Sequence, residues 1–286
     1  MKKSSSQASN PKPASAAAAK QAAGKRPKAG HMPMWVFIVA ALIMAGIAFM
    51  VIYLSHPPTK AVDLPSPQVG QNSGKLVFPQ VGEPALKSGY YEGDANSGTV
   101  FVEYSDFQCP YCGRAEAALA QVKENYPSMQ FAFRNFPLSA HPNAPKAAEA
   151  AECAGIQGKF WQMHDIMFAN QEDLAVSSLK KYAASLGLDT AAFNSCLGSG
   201  QTAPLVAAEK AEGQGLGIGG TPGFLVYTRK GASAAVEQKL MNISSRFQSL
   251  GVSSAVVGVK GAGDGLVFAG AMPYSDYKSV IDAFSN

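Results

Sequence analysis

Apolar and polar positions change rhythm along the chain, and the changes divide it. Residues 1–33 carry almost no large apolar side chain. Met34 to Leu54 (MWVFIVAALIMAGIAFMVIYL) is uncharged and nearly all apolar. About 20 such residues suffice to cross a bilayer as a helix. Trp35 and Tyr53 stand near its two ends, where aromatic residues favour the membrane interface. A buried core helix would show a polar face, which this run lacks. A cleaved signal peptide would have a shorter apolar region and a small-x-small site, and SHPPTKAVD offers no convincing one. The run is therefore read as an uncleaved transmembrane anchor. Residues 55–85 are rich in Pro, Gly and polar residues with no sustained period, the pattern of a linker.

From about Leu86 the pattern is that of a folded domain running to residue 286. Thr99–Tyr104 (TVFVEY) has strand composition, Ala115–Tyr126 is helix-forming, and Met129–Arg134 alternates as a strand does. From about 141 to 213 only helical spacing is found: APKAAEAAECAGI, FWQMHDIMFAN, VSSLKKYAASLG and DTAAFNSCL, separated by Gly, Asp or Ser. Gly223–Tyr227 reads as a strand, LVFAGAM as the last strand, and Ser275–Phe284 as a final helix. Between them, 229–265 is atypical. Val236, Leu240, Ile243, Phe247 and Leu250 keep helical spacing, and VSSAVVGVKGAGDG has room for a strand. Strands and helices alternating around a helical block predict an α/β fold.

Charge adds a direction. The chain has a formal net charge of +4, but residues 1–33 hold seven Lys/Arg and no acid, leaving 17 Lys/Arg against 20 Asp/Glu. The basic character belongs to a disordered, low-complexity tail. Nothing else favours a nucleic-acid partner. Basic residues crowded before the apolar span place the N-terminus in the cytoplasm and everything after Leu54 outside it.

The chemistry concentrates in Cys109-Pro110-Tyr111-Cys112, which follows the Thr99 strand and opens the next helix. A cysteine at a helix N-terminus faces unpaired N–H groups and the positive end of the helix dipole, both favouring thiolate. Pro110 suits the first helical position, and Cys112 comes within reach one turn on. This is the layout of a reversible dithiol. The rival, half of a zinc site, needs further ligands. Cys153 and Cys196 stand alone, and His31, His56, His141 and His164 are scattered, so neither metal nor organic cofactor is expected. His141 and His164 read as structural rather than as general bases. Gly215, Gly217 and Gly220 match Gly-x-Gly-x-x-Gly, but a dinucleotide site should follow a strand and open a helix. Here the glycines follow a helical stretch and deliver Thr221-Pro222 to a strand, where an X-Pro bond can be cis. Asn242-Ile243-Ser244 fits a glycosylation sequon, but its Ile belongs to the apolar helical face.

Three features, in this order and spacing, resemble the DsbA-like disulfide oxidoreductases of the thioredoxin superfamily. They are the Cys109-Pro110-Tyr111-Cys112 helix after a strand, a helical insertion beginning near HPNAPKAAEAAECA and QGKFWQMHD, and Gly220-Thr221-Pro222 before a strand. The resemblance implies a thioredoxin fold: a central mixed sheet flanked by helices, with the insertion over the active site. It also implies a cis Pro222 beside Cys109. Glu103 stands where family members carry an acid beneath the active site, which implies a buried proton-handling role; an exposed strand carboxylate is the equal alternative. Family members pass through a short turn where this chain has 229–265, which puts the C-terminal strand register in question.

The mechanism that follows has a substrate thiolate attacking an exposed Cys109 sulfur, with Cys112 buried and Tyr111 between them. Thr221 backbone groups would hold an extended substrate strand. Cys153 and Cys196 are then left either as two buried thiols or as a structural disulfide, the expected state outside the cytoplasm. The leading expectation is a membrane-anchored, extracytoplasmic oxidase of exported proteins, reoxidised by a membrane redox partner. A reductase or isomerase on the same fold is the alternative, and a non-enzymatic or zinc-held scaffold the third.

Overall fold

The computed structural model describes residues 68–69, 76–84 and 90–284. The basic tail, the apolar run 34–54 and the expected domain start at Leu86 lie outside the described residues. Among the described residues no helix is long and apolar enough to cross a membrane.

The sheet is built on β5 (Thr99–Ser105), whose residues after Thr99 are all buried. Both of its faces are covered, which is why it reads as a nearly continuous apolar run. A helix, α1 (Pro110–Asn125), carries the chain across to β6 (Gln130–Asn135), which lies parallel to β5 with Val100 opposite Gln130. On the other side of β5 lies β7 (Gly223–Thr228), antiparallel, with Val102 opposite Leu225.

The atypical segment is a helix and a strand. A helix, α7 (Ala234–Ser249), is capped by the Ser233 hydroxyl, which accepts the Val236 N–H. It leads to β8 (Ser254–Val259), and β9 (Asp264–Ala269) then runs antiparallel to both β8 and β7. The final helix α8 spans Tyr274–Ala283. Two short edge strands, β3 (Gln80–Val81) and β4 (Tyr91–Glu92), complete a seven-stranded mixed sheet of order β3-β8-β9-β7-β5-β6-β4. A separate antiparallel pair, β1 (Gln68–Val69) and β2 (Leu76–Val77), precedes them.

One difference from the sequence reading is that residues 76–81 are not a free linker. β3 lies parallel to β8, and Phe78 and Val81 are each 5% exposed. Two-residue strands among Pro and Gly are too short to show a period. A second difference concerns the helical block. It contains α2 (Ala144–Gly155), α3 (Phe160–Phe168), α4 (Val176–Ser185), α5 (Thr190–Ser199) and also α6 (Ala203–Gly215). The last has no apolar stripe to mark it in the sequence, its buried positions being Val206, Glu209 and Gly213. Arg134 on β6 is fully buried, with Nε 3.3 Å from Glu212 Oε1 and Nη1 3.7 Å from Glu209 Oε1. Tyr104 donates to the same Glu212 oxygen at 2.7 Å, and the Asn135 amide bridges Glu209 and Glu152 at 2.8 and 2.7 Å. A buried Arg shared among carboxylates fixes the helix by geometry rather than by an apolar stripe.

One face of the sheet packs Phe101, Phe224 and Phe268 against α1, α7 and α8, through Leu119, Leu240 and Tyr277. The opposite face buries Tyr104, Leu225 and Val267 with Leu216 and Ile218. Phe107, Phe133, Phe160 and Met163 form the core of the helical block. Cys153 on α2 and Cys196 on α5 are bonded there, with 5.9 Å between their Cα atoms. His164 is buried among these rings, Nδ1 2.9 Å from Asp165, and burial pulls its pKa down.

Candidate active site

β5 ends at Ser105, and a turn over Asp106, Phe107 and Gln108 sets up the next helix. The Asp106 carboxylate organises it: Oδ1 accepts the Gln108 N–H at 2.7 Å, and Oδ2 accepts the Leu138 N–H at 2.8 Å. His141 Nδ1 lies 2.8 Å from that same Oδ2. Cys109 is the N-cap of α1, in extended conformation (φ −77°, ψ 121°), and Pro110 takes the first helical position. The sulfur therefore sits where a capping oxygen would sit in another helix.

Cys109 and Cys112 are both unbonded thiols and both buried. An exposed Cys109 sulfur was the expectation. Cys109 is instead only 3% exposed, because the carbonyl of Thr221 closes over it, 3.5 Å from Sγ. The Thr221–Pro222 peptide is cis, and both residues are buried. Tyr111 is 49% exposed, with the Arg114 guanidinium 4.2 Å above its ring.

The two sulfurs are electrostatically unlike. A hydrogen bond from Cys112, aided by the N–H groups of Cys112 and Tyr111, overcomes burial and lowers the Cys109 pKa from 9.0 to about 6; the Thr221 hydroxyl acts in the same direction but falls short of a fully formed hydrogen bond. Burial, together with the negative charge on Cys109, pushes Cys112 well above the usual thiol range.

Beneath them Glu103, on the α1 side of β5, is 1% exposed, and burial raises its pKa to about 7. Ser105 acts on both Glu103 and Cys112, favouring the ionised form of each, but its hydroxyl falls short of a fully formed hydrogen bond. Glu116, one turn after Cys112, is a second acid that the sequence reading did not single out; the residue is half-buried, with its Oε1 atom out of reach of solvent. Burial and then the Glu103 charge raise its pKa to about 9. The i, i+4 spacing from Cys112 was its only signal, and among alanines it reads as a solvated charge. Lys123 is the cation that opposes both shifts. It lies 4.1 Å from the Trp161 ring centre and 3.1 Å from Glu92. Among the described residues no cluster of His, Cys, Asp and Glu is arranged to hold a metal.

A carboxyl with a raised pKa penalises the fold only where the unfolded chain ionises it. The penalty is absent below about pH 4.5 and grows as pH rises to about 7. Glu103→Gln is therefore expected to stabilise the protein on the order of 2–3 kcal/mol at pH 8 and to change little at pH 4. Urea unfolding of both proteins at the two pH values checks this. A variant with no pH-dependent gain would mean that Glu103 is not held uncharged.

Comparison with known proteins agrees with this geometry. A family model described as Thioredoxin matches residues 86–243. Wolbachia pipientis α-DsbA1 superposes with a TM-score of 0.52 at 20% identity, covering 71% of this chain and 92% of its own. The thiol-disulfide exchange protein α-DsbA2 of Wolbachia pipientis gives 0.51 at 18% identity, covering 69% and 88%. A thioredoxin-like oxidoreductase from Silicibacter pomeroyi DSS-3 gives 0.51 at 22%, covering 70% and 92%. Among curated sequences, Na(+)/H(+) antiporter NhaA 3 of Salinispora tropica is 39% identical over 142 residues, which is 49% of this chain and 22% of the antiporter. NhaA 1 of Salinispora arenicola is 40% identical over 143 residues, again 49% and 22%. The chain thus spans about a fifth of the length of these relatives. With more than half of its length matched by the family model and its described fold shared with DsbA proteins, the chain belongs to the thioredoxin family.

Proposed function

We propose that the protein is a membrane-anchored, extracytoplasmic thiol:disulfide oxidoreductase that oxidises cysteine pairs of exported proteins. The observation that carries this reading is the inequality of the two sulfurs: Cys109 is held toward thiolate and Cys112 away from it. In the oxidised enzyme a substrate thiolate attacks Cys109 Sγ. The Cys109–Cys112 bond breaks, and its electron pair goes to Cys112, which takes a proton. Glu103, poised near neutral pH beside Ser105, is the group that supplies it. A second substrate thiolate then attacks the substrate sulfur of the mixed disulfide and expels Cys109 as thiolate. Two substrate thiols have become a disulfide and the enzyme disulfide a dithiol, which a membrane redox partner reoxidises.

A good leaving thiolate makes an oxidant, since a lower pKa speeds departure. Thr221, whose carbonyl already borders the sulfur, is positioned to pair with an extended substrate backbone. The Cys153–Cys196 bond suits an oxidising compartment, and the apolar run 34–54 supplies the anchor.

The reduction potential tests the reading. The full-length protein, equilibrated in glutathione buffers, is expected to show a couple at about −150 mV or higher. A value near about −250 mV would overturn the oxidase assignment in favour of a reductase. Absence of a titratable couple would leave only a binding scaffold.

A further inference from the structure

The helical block reaches the redox turn through a residue remote from it in sequence. Gln171 lies in the loop between α3 and α4, and its Nε2 donates to two carbonyls at once, Phe107 and Cys109, each at 2.9 Å. The Cys109 carbonyl also accepts the Gly113 N–H at 3.2 Å, an early bond of α1. A Cβ added to Gly113 would stand 2.2 Å from Gln171 Oε1 and 2.8 Å from its Cδ. The Gln171 amide therefore lies across the first turn of the helix, in space that only glycine at 113 leaves open. The same turn is held from the same side by Asn143, whose N–H donates to Gln108 Oε1 at 2.8 Å, and by the Leu138 and His141 contacts to Asp106.

We propose that Gln171 is a positioning residue for the redox couple: its amide ties the Phe107 and Cys109 carbonyls together, fixing the N-cap conformation that aims the Cys109 sulfur at the helix N–H groups, and Gly113 exists to admit it. This rests on the reading of Cys109 and Cys112 as a redox couple. Gln171 touches neither sulfur. It acts through backbone geometry, because a sulfur gains from N–H donors only while the turn keeps them pointed at it. The dithiol form, in which these bonds are present, is the one it favours. Loss of the clamp should make the protein a weaker oxidant.

The test uses the full-length protein in glutathione buffers. Gln171→Ala is expected to shift the equilibrium constant roughly three- to tenfold toward the disulfide form, since one net hydrogen bond corresponds to about fivefold. Gly113→Ala is the second variant. Alanine improves helix propensity, so a purely structural role predicts no redox effect. The proposal predicts a shift like that of Gln171→Ala, because the methyl displaces the amide. The double variant should shift no further than either single one, as residues acting through one contact do. A wild-type couple that Gln171→Ala leaves unchanged would overturn the clamp. Equal Gly113→Ala shifts in both backgrounds would overturn the pairing of the two residues. No couple in the wild type would overturn both this inference and the functional reading beneath it.

Discussion

Cys109→Ser is expected to abolish dithiol–disulfide exchange, while reduced Cys112→Ser is expected to accumulate mixed disulfides with proteins whose disulfides Cys109 attacks, because the thiol that would resolve them is gone. A serine oxygen cannot form the mixed disulfide, so no residual route survives the first substitution. In the second, Cys109 remains; its pKa of about 6 is the wild-type value, which depends first on the hydrogen bond from Cys112. At pH 7 the wild-type Cys109 is roughly nine-tenths thiolate, against about one-hundredth for a thiol of pKa 9. The accompanying loss of nucleophilicity, about 20-fold for three pKa units, cancels most of that gain in attack. The advantage of the low pKa is felt chiefly when Cys109 departs. Two measurements are needed: oxidation of a reduced two-cysteine protein by the disulfide form of the wild type, which Cys109→Ser cannot perform, and reaction of reduced Cys112→Ser with a protein disulfide, whose mixed disulfide is resolved on non-reducing gels. Adducts on Cys109→Ser, or free turnover by Cys112→Ser, would reverse the assignment of the two sulfurs. The pH dependence has a definite sign. Thiolate stabilisation of the reduced protein is full above about pH 9 and is lost as pH falls through about 6. Oxidising strength should therefore decline in acid.

Removing the Cys153–Cys196 bond is expected to destabilise the fold by about 4 kcal/mol on the chain-entropy account. The two residues are 43 apart in sequence and join α2 to α5 across the core of the helical block. The cross-link therefore denies the unfolded chain a long loop. It is best measured in a Cys109→Ala/Cys112→Ala background, so that one disulfide alone is present, by urea unfolding of the pair and of its Cys153→Ala/Cys196→Ala counterpart. A loss below about 1 kcal/mol would show that the unfolded chain already brings α2 and α5 together. The helical block carries the Gln171, Asn143 and His141 contacts to the redox turn, so the same substitution should also loosen the site.

The parts of the molecule legible in the sequence are those whose chemistry is local. Cys109-Pro110-Tyr111-Cys112 at a helix start follows from residue types and spacing, as do β5, β7 and α8. Thr221-Pro222 was readable as a strand entrance. Its closeness to Cys109 came only from family resemblance, since nothing in the chain between them states that distance. Glu103 shows the limit most clearly. A lone acid within VFVEYS has the same letters whether it faces water or the core, and only the packing of α1 and α8 on β5 decides. Glu116 was hidden because it lies beside, not on, the buried apolar face of α1, and α6 had no apolar stripe to bound it, its buried positions being Val206, Glu209 and Gly213. Gln171 depends on a contact spanning 62 positions, for which no short-range pattern exists. β8 was half-visible, its AVVGV run too short to separate from a buried turn.

The edge strand β3 has a consequence for how these molecules behave among their own kind. β8 is mostly buried and apolar, with Val256, Val257 and Val259 each at most 3% exposed. On its outer side the Gly258 N–H donates to the Pro79 carbonyl at 3.0 Å and the Lys260 N–H to that of Val81 at 2.9 Å. A bare strand of such composition is a template on which another chain can add itself. Residues 79–81 occupy part of that template with the protein's own backbone, and Pro79, lacking an N–H, offers no donor to an incoming strand. What reads as a spacer thus guards the central sheet against growing, molecule by molecule, into an aggregate.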